Sequence, residues 1–526
     1  MDEGQTETID GGEGSDSLVL DGFSKATVVS GAPVQSGMWV EPEDEARIPE
    51  SFTHRTSSVS KVVQLENFTV LDPLTGGAYA VSNVEEILYS AFFAQIGDGA
   101  GLVSSFVFTN PSSTETASAR VDFSDDEGQD LRLPIDGISQ SHVSFEVPPL
   151  GSVEFSTSGE GSTTVAGAAQ ARGDLPLGGV VRFTVPGLGI AGVGVSRLVD
   201  TFIVPIDRDV ASGLSTGIAV LNQGPSGNLK LVLSDLGGIQ QAETEIEMSH
   251  NGHLARYVQE LFPALGDFQG TLTVAGDSVS ATAIQLGTTA GQFTTLPVVS
   301  VTPLPAGGTV HFSQFANGGG FRSSLFLLNP STDQARGEVA FFGDDGEALS
   351  IAINGEAAAS RIPFEIPPQG GAILGTDGQG ALVVGSARAI LTEGVVGGVL
   401  RFSAPGLGIA GVGASGPFTD FITPVSRSTA SGLNTGVAVS ATGAAITLNL
   451  TLRDSTGAAV GAPVQTNLAA HGHLARFINE LFPGVDTADF KGTLTVTAAG
   501  GTIAATAIEL GSQPGQFTTL PVNPLQ

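Results

Sequence analysis

The chain contains no cysteine, one tryptophan (Trp39), three tyrosines and only four lysines in 526 residues. Without cysteine there is no disulfide framework, no thiol nucleophile and no thiolate set for an iron–sulfur or zinc centre. Large domains with adequate cores fold without disulfides, so residence outside the cell stays open. No run of eighteen apolar residues occurs, which excludes a helical membrane span. Lysine and arginine total 21 against 53 aspartate and glutamate, a net charge of −32. That sign repels a nucleic-acid backbone and favours solubility or cation association at the surface. The opening MDEGQTETID lacks the basic-then-apolar pattern of a secretory leader; a cytosolic protein and a mature chain both fit it.

Glycine, by contrast, is abundant at 72 residues, with 28 prolines. Short Val/Thr/Ala runs punctuated by Gly and Pro read as many strands joined by tight turns. The longest recurrent words reveal a duplication. GHLARYVQELFP at Gly252–Pro263 returns as GHLARFINELFP at Gly472–Pro483, and Asn110-Pro111-Ser112 as Asn329-Pro330-Ser331. PGLGIAGVG at Pro186–Gly194 matches Pro405–Gly413, and GQFTTLPV at Gly291–Val298 matches Gly515–Val522. Within each unit a weaker repeat links Ser323–Leu349 to Thr435–Val460 through the pattern strand, polar turn, strand, acidic Gly turn. Four modules of about 100 residues result, near the usual size of a β-sandwich. The expected fold is all-β: tandem antiparallel sandwiches of Ig-like or jelly-roll type, with one short helix in each long repeat. The expected division is an acidic arm 1–60, a strand-like lead-in 61–87, and modules 88–200, 201–304, 305–418 and 419–526.

Leu474, Phe477, Ile478 and Leu481 fall at i, i+3, i+4 and i+7, which predicts a helix over 472–483, and likewise over 252–263. About two turns are too short to stand alone, so the apolar stripe is expected to plug the open end of a sandwich. Arg256 with Glu260, and Arg476 with Glu480, have the spacing of surface pairs on such a helix. His471 and His473 suggest a metal, but the other copy has His250 and His253 at a different spacing and no cysteine completes a set. A hydrogen-bonded capping role for His253 and His473 is the expectation.

PGLGIAGVG lacks the lysine and following helix of a phosphate loop. Small residues at alternate positions suit a strand against which another backbone packs closely. The acidic turns Ser124–Gly128 and Asp345-Gly346 read as hairpins; calcium is the alternative, although neither has the spacing of a calcium loop. No G-x-S-x-G elbow or activated nucleophile emerges, so no enzyme and no cofactor are expected. Asn67 and Asn449 head N-x-Thr sequons that could accept a glycan outside the cell.

Residues 1–60 carry twelve acidic residues against Lys25, Arg47 and Arg55, a composition that commonly stays disordered. Two islands interrupt it, Ser17–Gly31 and Ser36–Val40. In the first, Leu18, Val19, Leu20, Phe23, Val28 and Val29 form a strand-like candidate for adding to the sheet edge of another subunit.

The recurrent words NPS, GLGIAGVG, GHLAR and FTTLPV, spread over about residues 90–525, resemble in style the tandem β-sandwich repeats of prokaryotic extracellular or surface structures. The resemblance is architectural and carries over no functional residue. It implies a structural or adhesive protein of the cell exterior whose partner is a second copy, polymerised by strand insertion. The alternative is a polysaccharide- or surface-binding array of a larger secreted protein, which the scarcity of Trp and Tyr disfavours.

Overall fold

The computed structural model describes residues 86–301 and 308–525 continuously. Before them it describes the backbone of the strands Thr8–Asp10, Ser17–Asp21, Thr27–Val29, Leu65–Leu71 and Ala78–Val84. The fold is a set of tandem antiparallel β-sandwiches, and the only helical segments among the described residues are two single turns.

In the first sandwich one layer runs His142–Val147, Ala117–Ser124, Val165–Gly173, Glu86–Asp98. The other runs Ser152–Ser156, Val103–Thr109, Gly178–Val185, Gly189–Gly194. Period-two patterning makes these strands amphipathic: along ASARVDFS (Ala117–Ser124) buried and half-buried positions alternate strictly. The enclosed core is phenylalanine-rich, with Phe106 stacked on Phe155 at 5.3 Å and Phe93 edge-on to Phe108 at 5.8 Å. The third sandwich repeats the strand order between Thr309–Asn317 and Gly408–Gly413.

The second and fourth sandwiches join their two layers through a strand that turns the corner. In the second, Phe268–Leu286 pairs with Val199–Arg208 and Gly227–Asp235 in its first half, then with Ser215–Asn222 and Phe293–Pro297. Ser278 takes the corner at a φ of 53°. In the fourth, Gly500 does so at 96°, and the strand divides into Asp489–Ala499 and Ile503–Leu510.

The recurrent word GHLAR is a strand, which corrects the helix expected over 252–263 and 472–483. His253–Tyr257 and His473–Phe477 pair antiparallel with Ser215–Asn222 and Leu433–Ala441, leaving only Val258–Leu261 and Ile478–Leu481 helical. The Arg–Glu surface pairs fall with it. Glu260 and Glu480 accept the backbone N–H of Tyr257 and Phe477, while Arg256 and Arg476 each donate to the preceding carbonyl. The turns still plug their sandwiches, since Val258 and Phe262, like Ile478 and Phe482, belong to the cores.

The four modules close on one another around the two glycine-rich words. Gly291 N–H donates to Leu188 O at 2.7 Å, and Ile409 N–H to Gly291 O at 2.7 Å. Gly515 N–H donates to Leu407 O at 2.7 Å, and Ile190 N–H to Gly515 O at 2.8 Å. The circuit thus passes from the first module to the second, third and fourth, and back to the first. A Cβ on Gly515 (φ 84°) would lie 2.2 Å from Leu188 O, and one on Gly411 2.2 Å from Leu296 Cδ2. Alongside, Thr518 and Thr294 hydroxyls accept the N–H of Gly192 and Gly411, while Thr295 and Thr519 hydroxyls donate to the carbonyls of Gly192 and Gly411.

Two alanine substitutions separate close approach from backbone conformation. Gly406 also has a positive φ, 72°, but nothing lies within 4 Å of an added Cβ. G406A is expected to cost only the left-handed penalty of roughly 1–2 kcal/mol, whereas G515A adds a steric cost of roughly 1–3 kcal/mol or more. Denaturant midpoints of the two variants check this; equal losses would remove the close-packing explanation.

Candidate assembly site and the module junctions

The island of the arm expected to supply one assembly strand, residues 18–29, contributes to two. Ser17–Asp21 lies parallel to the start of Glu86–Asp98, with Leu18 opposite Ile87, Val19 opposite Leu88, Leu20 opposite Tyr89 and Asp21 opposite Ser90. Val28 and Val29 belong instead to Thr27–Val29, opposite Val70 and Thr69 in a separate four-stranded sheet with Leu65–Leu71, Ala78–Val84 and Thr8–Asp10. The single alternating strand over 18–29 is therefore corrected to two short strands in different sheets; Phe23, between them, lies outside the described residues, as does Trp39. Asn67 pairs opposite Ser82 in that small sheet. Asn449 sits half-buried on Ile446–Asp454 and accepts from Gln465 Nε2 at 3.0 Å.

The added strand meets the first sandwich at its sheet edge. The sandwich's own partner, Val165–Gly173, reaches along Glu86–Asp98 only as far as Tyr89. Glu86–Leu88 therefore extend past the sheet, and Ser17–Val19 are the residues paired with them. Beside the end of the arm strand opens a cavity of about 80 Å³, lined by Tyr89, Ser90, Ala91, Leu177, Asn523 and Pro524 among others. Burial raises the Tyr89 phenol above its ordinary pKa.

Several buried polar side chains tie one module to another. His253 and His473 have no exposed side-chain surface. His253 Nδ1 lies 2.8 Å from Asp126 Oδ1 and its Nε2 3.2 Å from Gln95 Oε1; His473 lies 2.8 Å from Asp344 Oδ1 and 3.0 Å from Gln314 Oε1. Their backbone N–H groups donate to the carbonyls of the same two aspartates. These histidines join modules, one to two and three to four, which corrects the expectation that they cap the short helices. The hydrogen bond from His253 holds the Asp126 carboxyl below the usual range, and His473 does the same for Asp344.

That pairing accounts for the acidic turns. Asp125 Oδ1 accepts from Glu127 and Gln129 N–H, Asp345 Oδ1 from Glu347 N–H, and the other aspartate of each turn faces a histidine. Among the described residues no group of three or more His, Asp or Glu side chains is placed to hold a metal ion. The recurrent Asn of NPS is a buried clamp: Asn110 Nδ2 donates to Glu115 O and Val147 O while Oδ1 accepts Ser112 N–H.

The other two junctions share an arginine but differ in its partner. Arg182 of the first module chelates Glu509 of the fourth at 2.7 and 2.9 Å and touches Glu154 at 3.3 Å. Arg401 of the third binds Asp207 of the second at 2.6 Å and Gln285 at 3.0 Å. Gln285 occupies the place of Glu509, and Ser426 that of Asp207: the N–H groups of residues 207 and 426 donate to equivalent threonine hydroxyls, Thr216 and Thr435. The carboxylate has moved while the charge pair has remained. These partners escaped sequence reasoning. The signal was the recurrence of Arg182 and Arg401 at the same place before PGLGIAGVG, in a chain with few cations.

The third–fourth junction carries a buried arginine beside two histidines. Arg388, buried, donates to Thr442 O at 2.9 Å and contacts His471 Nδ1 at 2.6 Å, with Phe342 4.8 Å beneath its guanidinium. His311 pairs with Arg388 across the strands. Phe92, Gln170 and Asn251 hold these places in the first unit. Burial brings Arg388 down to about 10, so it stays charged at neutral pH. Burial first, then Arg388 and His471, hold His311 at about 4; burial and Arg388 also lower His471.

Neither a scan of protein-family models nor a search of curated proteins finds a match to this chain. No helix among the described residues is long and apolar enough to cross a membrane.

Two outcomes are expected. E509Q leaves Arg182 without its chelating carboxylate and costs about 3–5 kcal/mol, as removal of one partner of a buried pair does. Adding S426D recreates the other junction and restores much of the loss; urea midpoints of single and double variants check it, and no rescue would contradict the equivalence. Second, His311 at about 4 in the fold stands below its ordinary 6.5, so the unfolded chain takes up the proton first. Stability therefore falls as pH drops from about 6.5 to about 4 and this contribution then levels off. H311F/R388Q/H471N, which installs the first unit's residues, is expected to flatten that window in a pH series of denaturation midpoints.

Proposed function

We propose that this chain is a non-enzymatic structural or adhesive protein of the cell exterior that assembles with copies of itself, its N-terminal strand lodging in the next subunit to build a head-to-tail filament. The observation that supports the reading is the addition of Ser17–Asp21 to a sheet edge of the first sandwich. A strand added through main-chain hydrogen bonds is a general mode of subunit linkage, and the unpaired edge of a sandwich is its receptor. When donor and acceptor lie on different faces of one chain, repetition gives an open polymer. The use of the buried polar side chains also favours a scaffold: His253, His473, Arg182 and Arg401 all tie one module to another.

Deleting residues 1–60 tests the reading. The full chain is expected to give filaments or long particles in negative stain, and the shortened chain uniform single particles with the same β-rich circular dichroism. Particles of equal size with and without the arm would contradict it.

A further inference from the structure

The geometry points to Glu86–Ser90 as the acceptor strand for a second copy: Ser17–Asp21 of one chain pairs in parallel with Glu86–Ser90 of the next, in the register seen within a single chain. This rests on the self-assembly reading and specifies its contact.

Three observations carry it. First, the sandwich is complete without the added strand. In the third module the strand equivalent to Glu86–Asp98 begins at Thr309, pairs with Val383–Glu393 from that residue onward, and no described strand is added outside it. The three residues Glu86–Leu88 therefore lengthen the first strand beyond its pairing within the sandwich. Second, the pairing is parallel, unlike the antiparallel pairing inside the sandwiches. A parallel neighbour cannot come from a hairpin and has to arrive through a long connection, and here residues 22 to 85 separate the two strands. An element on so long a tether exchanges between copies at little cost, because the contacts made are the same in either chain and concentration decides between them. Third, the free edge ends where the arm strand ends: on that side of Glu86–Asp98, Phe92 O accepts Ser196 N–H at 2.9 Å. Asp21 stands opposite Ser90, and the 80 Å³ cavity begins at Tyr89, Ser90 and Ala91. Glu86–Ser90 is therefore the stretch of this edge left to an added strand, with the cavity beside its last residues.

The absence of cysteine makes the test direct. D21C and S90C are placed in separate full-length chains, and the two are co-expressed and oxidised. A disulfide-linked dimer that requires both variants is expected on non-reducing gels, and linked chains should extend to longer multimers when one chain carries both cysteines. L20C with Y89C, the neighbouring pair, is expected to behave alike and guards against a folding defect in the first. If the double variant closes only within a single chain, and the mixed chains never link at concentrations where particles form, the acceptor assignment is overturned while assembly through another surface stands. If no particles form at any concentration, the self-assembly reading itself fails and the inference with it.

Discussion

Four backbone hydrogen bonds, made by the N–H groups of Ile190, Gly291, Ile409 and Gly515, run in a circuit through all four modules. Everything else about how the sandwiches sit depends on that circuit. It can close only because main chains approach to distances that leave no place for a Cβ at residues 291 and 515, where the nearest backbone atoms would stand 2.7 and 2.2 Å away. The words GQFTTLPV and PGLGIAGVG are thus two halves of one contact. Each copy of the first meets both copies of the second, so a duplication that preserved the words preserved the closure.

Around this main-chain frame the side chains have diverged. One pair of junctions keeps a buried histidine between an aspartate and a glutamine in both copies. The other pair keeps an arginine and relocates its carboxylate from residue 509 to residue 207. A buried arginine tolerates that exchange because its requirement is charge and hydrogen-bond geometry, which neighbouring positions can meet equally well. The Arg388–His311–His471 cluster goes further and puts neutral imidazoles beside a guanidinium where the first unit has Phe, Gln and Asn. The two halves of the duplication consequently share a shape but differ in their response to acid.

Much of the architecture was legible in the sequence. Turn chemistry and period-two alternation identified the all-β class, and words recurring in the same order at offsets of 219 to 224 residues identified the duplicated unit. The alternating small residues of PGLGIAGVG announced a close backbone neighbour, because only that explains so many positions without a side chain. Helical periodicity misled at GHLAR: Leu474 and Ile478 share an apolar stripe on paper, yet residues 473–477 extend as a strand and the turn begins only at Ile478. Pairing with Leu433–Ala441 overrode a local pattern too short to resist it. The junction pairs were not legible, since Arg182 and Glu509 are separated by most of the chain and nothing local marks them. The arm was legible in composition and strand content, but its division between two sheets follows from a register that sequence does not specify.

Native-state amide exchange at Ile190, Gly291, Ile409 and Gly515 tests the central circuit most directly. If the four bonds hold the modules as one body, these amides exchange only with global unfolding, at the same denaturant dependence as the sandwich cores. Exchange of any one of them at the rate of the surface turns, with the cores still protected, would mean that the modules are strung together and not closed.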